Sequence, residues 1–356
     1  MAMISFARGV PAPECLPVEE LAECARAALL RDGHTILSYG PSPGYGPLRA
    51  RLAEQHGVDQ SRIFLTNGSL QGFVFLAQRL APGRRVLLEN PSYDRPLKIL
   101  RELGADVVAL DCDEDGLDPD ALERALAEGD KPAFLYLIPT FQNPSGRTLP
   151  LDRRRRVVEL AEQHDLLVLE DDPYGLVRYE GEALPSLFEL SGGTIAYSSS
   201  FSKTISPGLR VGWFVFPEAL EREIEATATA TYITPVQLGQ ATVNEFLDRG
   251  LFESNLERVR GLLGARRDAM LAALERDLPE LTVNRPEGGY FLWGELDGAD
   301  AGELLTRAEE AGVTFVKGTD FGGPAGSLRL AFSFVSLDEI GEGVARLAAA
   351  LPASVR

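Results

Sequence analysis

Short runs of apolar residues alternate with helical patterns through the first two thirds of the chain. The apolar runs lie at 62–66, 85–89, 106–111, 133–139, 166–171, 194–198 and 210–216. Most of them show no alternation of apolar and polar residues, which is typical of strands that are buried on both faces. Helical patterns such as 69–81 and 150–164 lie between them. The sequence therefore predicts an α/β fold in which helices cover a mostly parallel, seven-stranded sheet.

The pattern changes after Pro217, where long helical patterns are followed by a mixed segment. The strands of this segment are predicted in 289–296 and 327–334, and its helices near 300–311 and 337–351. Such a mixture predicts a second, smaller domain of the α+β class. We expect the large domain to comprise residues 30–250 and the small domain to comprise residues 1–29 and 251–356.

The composition argues against several classes of function. The 356 residues carry a formal net charge of −18, which disfavours binding to nucleic acid or to an anionic membrane surface. Three cysteines are too few and too scattered for a disulfide framework, and no Cys/His cluster has the spacing of a metal site. The sequence shows neither a signal peptide nor a stretch of transmembrane length. We therefore expect a cytoplasmic protein without a metal site.

Polar residues follow the ends of five predicted strands. In chain order they are Asn67, Gly68 and Ser69; Tyr93; Asn143; Asp171, Asp172 and Tyr174; and Lys203. Each group alone is typical of a turn or a solvated loop. Ligands of open α/β sheets bind beyond the carboxyl ends of the strands, so we expect the five groups to share one rim. That rim would combine a lysine, a carboxylate, an amide, two phenols and an anion-binding helix N-terminus.

This set of groups fits the chemistry of one cofactor, a phosphorylated pyridine aldehyde. The amine of Lys203 is able to form a Schiff base with the aldehyde, and Asp171 is able to keep the pyridine nitrogen protonated. Hydrogen bonds to the phosphate are expected from Ser69, Ser200, Ser202 and Arg210. Asn143 and Tyr174 are able to form hydrogen bonds with the phenolic oxygen, and Tyr93 is able to stack on the ring face. A lysine in a pocket of small residues near an arginine is also easier to deprotonate.

Eight motifs support this interpretation by their order along the chain. They are YGPSPGYGPLRARLA, TNGSLQGFVFLAQRL, LENPSYDRPL, YLIPTFQNPSGRTL, LEDDPYG, SSSFSKTISPGLRVGW, RPEGGYFLWGEL and SLRLAFSFVS. From about Ile4 to the C-terminus the chain resembles the fold-type-I, pyridoxal-phosphate-dependent aminotransferases of classes I and II, most of all their kynurenine and 2-aminoadipate branch. The resemblance implies an aspartate aminotransferase-like fold, pyridoxal 5'-phosphate as the cofactor, and transamination between an L-amino acid and a 2-oxo acid.

The resemblance also implies roles for individual residues. Lys203 resembles the family's Schiff-base lysine and proton shuttle, Asp171 the partner of the pyridine nitrogen, and Tyr93 the ring that stacks on the cofactor. Further cofactor contacts are implied for Ser69, Leu70, Asn143, Tyr174, Ser200, Ser202 and Arg210. Arg329, together with Asn143, resembles the pair that binds the substrate α-carboxylate. Tyr39 resembles a tyrosine that reaches the phosphate from the partner subunit, which implies a homodimer.

Two places depart from the family's pattern. Leu70 stands where relatives commonly carry glutamine, so a side-chain contact to the phosphate is lost while the backbone N–H remains. Arg8 and Gly9 stand where relatives usually show two glycines, and the sequence starts almost directly at Ile4, without the N-terminal helix that covers the substrate in relatives. We therefore predict that Arg8 and Gly9 contact the substrate and that Arg8 faces its side chain.

Three other interpretations stay open at this point. The same scaffold supports elimination, replacement, cyclisation or oxidation at an amino acid, since a fold does not fix a function. A regulator that carries this domain behind a DNA-binding segment is disfavoured, because the sequence shows no such segment before Met1 and is strongly acidic. A plain nucleotide-binding domain is disfavoured because no Gly-x-Gly-x-x-Gly turn follows the first strand.

Two local features are predicted as well. The peptide bonds Asn90-Pro91 and Asn143-Pro144 are both expected to be cis, although the cis form is uncommon, because each lies at a strand end beside an expected cofactor contact. The arginine run at 153–156 is expected to form a solvated helix face rather than a phosphate-binding site.

Overall fold

Strands and helices alternate along the chain as the sequence predicts. The computed structural model describes residues 2–351. Its strands are β1 (Ile4–Ser5), β2 (Ile63–Thr66), β3 (Arg85–Asn90), β4 (Asp106–Asp113), β5 (Gly116–Leu117), β6 (Phe134–Leu137), β7 (Val168–Asp171), β8 (Ala196–Ser200), β9 (Gly212–Val215), β10 (Thr282–Val283), β11 (Phe291–Glu295), β12 (Val313–Thr314), β13 (Val316–Lys317) and β14 (Ser327–Ala331).

The helices lie between these strands and after them. They are α1 (Val18–Ile36), α2 (Gly46–His56), α3 (Ser69–Leu80), α4 (Asp94–Glu102), α5 (Pro119–Ala127), α6 (Leu151–Gln163), α7 (Leu187–Leu190), α8 (Glu221–Tyr232), α9 (Gln237–Asp248), α10 (Leu251–Asp277), α11 (Ala301–Glu310) and α12 (Leu337–Ala349). Across residues 2–351, no helix is both long enough and apolar enough to cross a membrane.

Within the described residues, eight strands form the large sheet in the order β2-β9-β8-β7-β6-β3-β4-β5. The series from β8 to β4 is parallel throughout, whereas β9 runs antiparallel to both β2 and β8. Seven of the eight strands coincide with the seven predicted runs, so the mostly parallel sheet covered by helices is confirmed with one strand more than predicted. The additional strand β5 has two residues and pairs antiparallel with the end of β4, and it is too short to show a period in the sequence.

Strand β6 shows why the apolar runs do not alternate with polar residues. Phe134 and Tyr136 pack in one apolar cluster with residues of helix α3, while Leu135 and Leu137 pack in another with residues of helix α6. Successive side chains of a strand point to opposite faces of a sheet, so a strand with a core on each side is apolar at every position. The parallel strands then end at one common edge, where their polar terminal residues gather.

A smaller antiparallel sheet has the order β10-β11-β14-β13. The N-terminal segment is attached to this part of the molecule, since β1 pairs with β12 and the backbone N–H of Ala331 donates to the carbonyl oxygen of Phe6 at 2.7 Å. The residues that follow Phe6 are therefore held beside the end of β14. This attachment brings the start of the chain close to the strand ends of the large sheet.

The division into a large domain of residues 30–250 and a small domain of 1–29 and 251–356 stays a prediction. The boundary at residue 30 falls inside helix α1, whose Cys24, Ala28 and Ile36 pack in one apolar cluster with Leu48 of helix α2. The other boundary coincides with the start of helix α10 at Leu251.

The two cis bonds predicted at Asn90-Pro91 and Asn143-Pro144 are both present. The prediction for the arginine run is wrong for Arg154, whose side chain is 1% exposed. Its guanidinium donates hydrogen bonds to the carbonyl oxygens of Leu149 and Pro139, at 2.8 and 2.9 Å. Arg154 is therefore a buried structural residue that ties the start of helix α6 to the end of strand β6.

Candidate active site

A cavity of about 270 Å³ opens at the carboxyl ends of the parallel strands. The predicted site residues that line it are Ser69, Leu70, Tyr93, Asn143, Asp171, Tyr174, Ser200, Ser202, Lys203 and Arg210. Two others lie beside it, since Arg329 contacts Asn143 and Gly9 contacts Lys203. Arg8 and Tyr39 are not among the lining residues.

Hydrogen-bond donors that are suited to an anion gather at one end of the cavity. Helix α3 begins there, and its first backbone N–H groups, at Ser69 and Leu70, have no acceptor within the helix. The helix dipole places partial positive charge at the same point. The hydroxyl groups of Ser200 and Ser202 line this end as well, with their oxygens 2.8 Å apart. Neutral donors and a helix terminus therefore surround one small volume.

Arg210 adds a full positive charge to this end of the cavity. Its Nη2 donates to the carbonyl oxygen of Asn67 at 3.0 Å, in the turn that precedes helix α3. Gly68 in that turn has a φ of 87°, and a Cβ at this position would lie 2.1 Å from the same nitrogen. The positive φ favours glycine, and a larger residue would also have to displace the guanidinium from this turn. The guanidinium, the helix terminus and the serines together fit a phosphate group.

Lys203 is one of the residues that line the cavity. Its Nζ donates to the carbonyl oxygen of Gly9 at 2.8 Å and lies 5.5 and 5.1 Å from the ring centres of Tyr174 and Tyr290. Burial lowers the pKa of Lys203 to about 8, with a further lowering by the positive charges of Arg329 and Arg210. The amine is therefore much closer to its neutral, nucleophilic form near pH 7 than an exposed lysine would be.

Asp171 ends strand β7 and points into the cavity. Tyr136 donates a hydrogen bond to its Oδ2 at 2.7 Å, and Ser198 donates one to its Oδ1 at 3.1 Å. Burial raises the pKa of Asp171 to about 6, against the lowering effect of these two hydrogen bonds. A carboxylate oxygen has more than one lone pair, so Asp171 is still able to accept a hydrogen bond from a ligand.

Arg329 and Asn143 form a hydrogen-bonded pair beside the cavity. Nη1 of Arg329 donates to Oδ1 of Asn143 at 2.8 Å, and Nη2 donates to the carbonyl oxygen of Ala7 at 2.9 Å. The arginine is 7% exposed, and burial lowers its pKa to about 10. Its Nε is buried and has no hydrogen-bond partner among the described residues. A buried cation with an unused donor is suited to a ligand carboxylate.

Aromatic rings close the cavity around these polar groups. Tyr93 precedes helix α4, and burial raises its pKa to about 12, so its phenol stays protonated at neutral pH. Burial also raises the pKa of Tyr174, whose ring lies 5.6 Å from that of Tyr290 and 5.7 Å from that of Phe291. Both phenols are therefore hydrogen-bond donors on largely apolar walls.

The segment from Ala7 to Gly9 runs along the site with its carbonyl groups towards Arg329 and Lys203. A Cβ at Gly9 would lie 2.6 Å from the ring of Phe291, so this glycine is explained by packing against the protein itself. The side chain of Arg8 is exposed, and its Cζ lies 4.0 Å from the ring centre of Phe334. The predicted contacts of Arg8 and Gly9 with substrate stay predictions.

Sequence reasoning missed residues that support the polar groups of the cavity. Tyr136 and Ser198 contact Asp171, and the hydroxyl of Tyr290 donates to the backbone oxygen of Lys203 at 2.9 Å. A signal for two of them was available, because Tyr136 and Ser198 are polar-tipped residues inside runs predicted to be buried strands. A hydroxyl in such a strand requires a partner, which the neighbouring strand end supplies.

The arrangement fits the cofactor expected from the sequence. It combines an anion site, a carboxylate and a lysine amine of lowered pKa, which are the groups that a phosphorylated pyridine aldehyde requires. A Cβ at Gly68 would displace the guanidinium of Arg210 from its place over the anion-binding turn. The unused Nε of Arg329 leaves a donor for a second ligand that carries a carboxylate.

Comparisons with known proteins agree with this chemistry. The model of the family described as aminotransferase class I and II matches residues 3–347. A 2-aminoadipate transaminase from Thermus thermophilus is 44% identical over 365 residues, covering 98% of this chain and 90% of that protein. An aromatic-amino-acid aminotransferase from Thermococcus litoralis is 34% identical over 363 residues, covering 97% of this chain and 87% of that protein. The solved structure of an α-aminoadipate aminotransferase from Thermus thermophilus, complexed with N-(5'-phosphopyridoxyl)-L-leucine, has a TM-score of 0.92 at 41% identity and covers 98% of this chain and 92% of that chain.

Proposed function

The chain belongs to the family of class I and II aminotransferases, and from this premise we propose that the cavity around Lys203 is its active site. The protein is an enzyme that transfers an amino group between an L-amino acid and a 2-oxo acid, with pyridoxal 5'-phosphate as cofactor. Its aspartate aminotransferase-like fold agrees with the prediction from the sequence. The assignment of roles to individual residues is our proposal.

The anion site binds the cofactor phosphate. The donors are the hydroxyls of Ser69, Ser200 and Ser202, the guanidinium of Arg210 and the backbone N–H of Leu70. A dianionic phosphate satisfies all of them, because it offers three strong acceptor oxygens to donors that converge on one volume.

The remaining cofactor contacts orient the pyridine ring. Asp171 would accept a hydrogen bond from the protonated pyridine nitrogen, Tyr93 would cover a ring face, and Asn143 and Tyr174 would donate hydrogen bonds to the phenolic oxygen. When bound, pyridoxal phosphate supplies an electron sink for the electron pair left at the substrate α-carbon. An ionised Asp171 favours the protonated nitrogen, which strengthens that sink.

Lys203 would hold the cofactor covalently and move the proton of the substrate α-carbon. Its Nζ is the base in the cavity, and its pKa of about 8 makes the neutral amine accessible near physiological pH. Arg329 binds the substrate α-carboxylate, and its Nε is a donor that the protein itself leaves unused. Asn143 supports this contact through its hydrogen bond with Arg329. Catalysis thus depends on Lys203, Asp171 and Tyr93, with the substrate fixed by Arg329 and Asn143.

The observation that carries this proposal is the meeting of Lys203, Asp171 and the anion site in one cavity. Two half-reactions test it against the other pyridoxal-phosphate chemistries. The holoenzyme mixed with an amino acid alone should release one equivalent of the 2-oxo acid and change its visible spectrum. Addition of a second 2-oxo acid should restore the spectrum. Release of ammonia, or a spectrum that no oxo acid restores, would contradict transamination.

We propose further that Arg8 contacts the side chain of the substrate and so affects which amino donors the enzyme prefers. Its guanidinium lies over Phe334, and no ion pair or side-chain hydrogen bond holds it among residues 2–351. The carbonyls of the neighbouring Ala7 and Gly9 contact Arg329 and Lys203, so Arg8 lies at the mouth of the site. The 2-aminoadipate transaminase from Thermus thermophilus acts, by its name, on an amino acid with a side-chain carboxylate, which is a group that a free guanidinium binds.

A panel of amino donors tests the role of Arg8. Arg8→Gly should lower kcat/KM by roughly tenfold to a hundredfold for donors with an acidic side chain, because a charge-assisted contact is lost. Arg8→Lys keeps the charge and should keep the ranking of donors. An unchanged ranking in Arg8→Gly would show that Arg8 is only a surface residue.

We also propose a homodimer in which Tyr39 reaches the partner's cofactor phosphate. Tyr39 is 82% exposed, and large apolar side chains of Leu37, Ile233 and Val236 are exposed as well. The loop of Tyr39 lies against helix α9, because a Cβ at Gly40 would overlap the side chain of Gln237. The backbone of Val236 contacts Asn67, beside the anion site. These exposed apolar groups therefore lie near the site that a partner would complete.

Mixed dimers test this arrangement directly. Tyr39→Phe and Lys203→Ala should each lower activity as homodimers, but a mixture of the two variants should regain activity in the dimer that carries one intact site. A monomer in sedimentation at working concentration would contradict the proposal, as would a mixture without recovery.

A cytoplasmic location is proposed from the cysteines and the acidic charge. Cys15, Cys24 and Cys112 are all free, and the first two are buried, which suits a reducing compartment. Cell fractionation with a cytosolic marker checks this proposal, and recovery with the membrane or secreted fraction would contradict it.

A further inference from the structure

Two hydroxyl groups from neighbouring strands converge on the carboxylate of Asp171. Strand β7 lies between β6 and β8 in the large sheet, and each of these neighbours contributes one donor. Tyr136 on β6 donates to Oδ2 at 2.7 Å, and Ser198 on β8 donates to Oδ1 at 3.1 Å. Ser198 is the residue directly opposite Asp171 in the register of β7 and β8. Both donors also line the cavity.

Tyr136 is fixed in the role of donor. Its side chain is 1% exposed, and its ring makes an edge contact with Phe73 at 5.2 Å between ring centres. Burial, together with the nearby charge of Asp171, keeps the pKa of Tyr136 well above 10, so the phenol holds its proton throughout the working range of pH. A buried phenol that keeps its proton is a permanent hydrogen-bond donor, and among the described residues its acceptor is the carboxylate of Asp171.

The other groups around Asp171 do not replace this donor. The charged or titratable groups that act on it from other positions are Asp172, Lys203, Tyr93 and Tyr174. Asp172 favours the neutral form of Asp171, and Lys203 favours the ionised form only while its own amine is charged. The hydrogen bonds from Tyr136 and Ser198 are therefore the constant contribution that favours a charged Asp171.

We propose that Tyr136 is a positioning residue for Asp171, with Ser198 as a second and weaker donor. The phenol keeps the carboxylate ionised and holds it in one orientation. A free lone pair of Asp171 then points into the cavity, towards the pyridine nitrogen of the cofactor. Tyr136 thus sets how strongly the protein holds that nitrogen in its protonated form. This inference rests on the proposed function, because it requires the cofactor ring to lie against Asp171.

The experiment measures binding of pyridoxamine phosphate to the cofactor-free protein, because this form carries no aldehyde and binds without a bond to Lys203. Tyr136→Phe keeps the ring and removes only the hydroxyl, and it should weaken binding about tenfold near pH 7. Ser198→Ala should weaken binding less, since its hydrogen bond is longer. The matched control is Tyr197→Phe, which removes the phenol that donates to the neighbouring Asp172 at 3.1 Å and should leave binding unchanged.

The dependence on pH separates positioning from simple packing. Loss of the donor raises the pKa of Asp171 above its value of about 6, so more of the carboxyl is protonated at any given pH. The defect of Tyr136→Phe relative to wild type should therefore be largest near pH 6 and should shrink towards pH 9. In an Asp171→Asn background the same substitution should cause no further loss. Circular dichroism of each cofactor-free variant checks the fold, and Ser198→Ala in both backgrounds tests the same coupling should Tyr136→Phe fail to fold.

The outcomes are distinct. A loss that is equal at all pH values, equal in the Asp171→Asn background, or shared by Tyr197→Phe would overturn the role of Tyr136 and leave the proposed function intact. Wild-type protein that binds neither pyridoxamine phosphate nor pyridoxal phosphate would contradict the proposed function and this inference with it.

Discussion

Asp171 ends strand β7 and Asp172 directly follows it, but their side chains contact consecutive residues of strand β8, Ser198 and Tyr197, which face opposite sides of the large sheet. Burial raises the pKa of both carboxyl groups. Asp171 points into the cavity and accepts hydrogen bonds only from the side-chain hydroxyls of Tyr136 and Ser198 among the described residues. It lies near Lys203 and keeps a lone pair for a ligand.

Asp172 makes contacts of a different kind on the other face. Its Oδ1 accepts the backbone N–H of Gly175 at 2.7 Å, and its Oδ2 accepts the hydroxyl of Tyr197 at 3.1 Å. The first contact closes the turn that carries Tyr174 into the cavity. One aspartate therefore faces the cavity and the other shapes the loop beside it. Burial and a tyrosine partner do not distinguish a functional carboxylate from a structural one, whereas an open cavity on one side does.

The largest expected difference between the two faces is in turnover. Asp171→Asn keeps the shape of the side chain but removes the charge that we propose to lie opposite the pyridine nitrogen, so kcat should fall by roughly a hundredfold or more. Asp172→Asn keeps an acceptor for Gly175 and should retain most of its turnover. Steady-state kinetics with one amino donor and 2-oxoglutarate measure both variants. Equal losses would show that the comparison of the two faces is wrong.

The next difference is in stability. Asp172→Ala leaves the N–H of Gly175 and the hydroxyl of Tyr197 without their acceptor, and it should lower the free energy of unfolding by about 1–3 kcal/mol. Its affinity for pyridoxamine phosphate should stay close to that of wild type, because the contacts of Asp171 are unchanged. Urea unfolding of the cofactor-free protein gives the first value and a binding titration the second. A normal stability with weakened binding would reverse the roles assigned to the two aspartates.

The smallest expected effect concerns the pKa of Lys203. The charge of Asp171 raises this pKa, whereas burial and the two arginines lower it to about 8. Asp171→Asn removes the raising effect, so the pKa of Lys203 should fall by less than about one unit. The rate of covalent attachment of pyridoxal phosphate depends on the neutral amine, and its midpoint should lie near pH 8 in wild type and lower in the variant. Asp172→Asn should leave the midpoint unchanged, and a midpoint near pH 10 in wild type would contradict the lowered pKa.

Much of the fold and of the cavity could be predicted because strand ends are visible in a sequence. An apolar run buried on both faces ends where a polar residue appears, as at Asp171 and Asn143, and the parallel ends meet at one edge. Strand β5 escaped prediction because two residues carry no period.

Residues that act inside an element were harder to predict. Tyr136 lies in the middle of an apolar run, where its ring is ordinary and only its hydroxyl has a function. The charge of the arginine run predicts a solvated face for Arg154, but four consecutive helical positions span the whole circumference of a helix, so one of the four arginines has to face inward. In both cases the hydrogen-bond acceptor lies on another segment of the chain, and only the fold brings donor and acceptor together.

Covalent attachment of the cofactor to Lys203 tests the central claim most directly. Holoenzyme should show a visible absorption band that borohydride bleaches, and digestion of the reduced protein should give a peptide that carries the pyridoxyl group on Lys203. Lys203→Ala should lose the band, while the exposed Lys98, paired with Asp94 on helix α4, provides the control Lys98→Ala, which should keep it. A pyridoxyl group found on another lysine, or on none, would contradict the account.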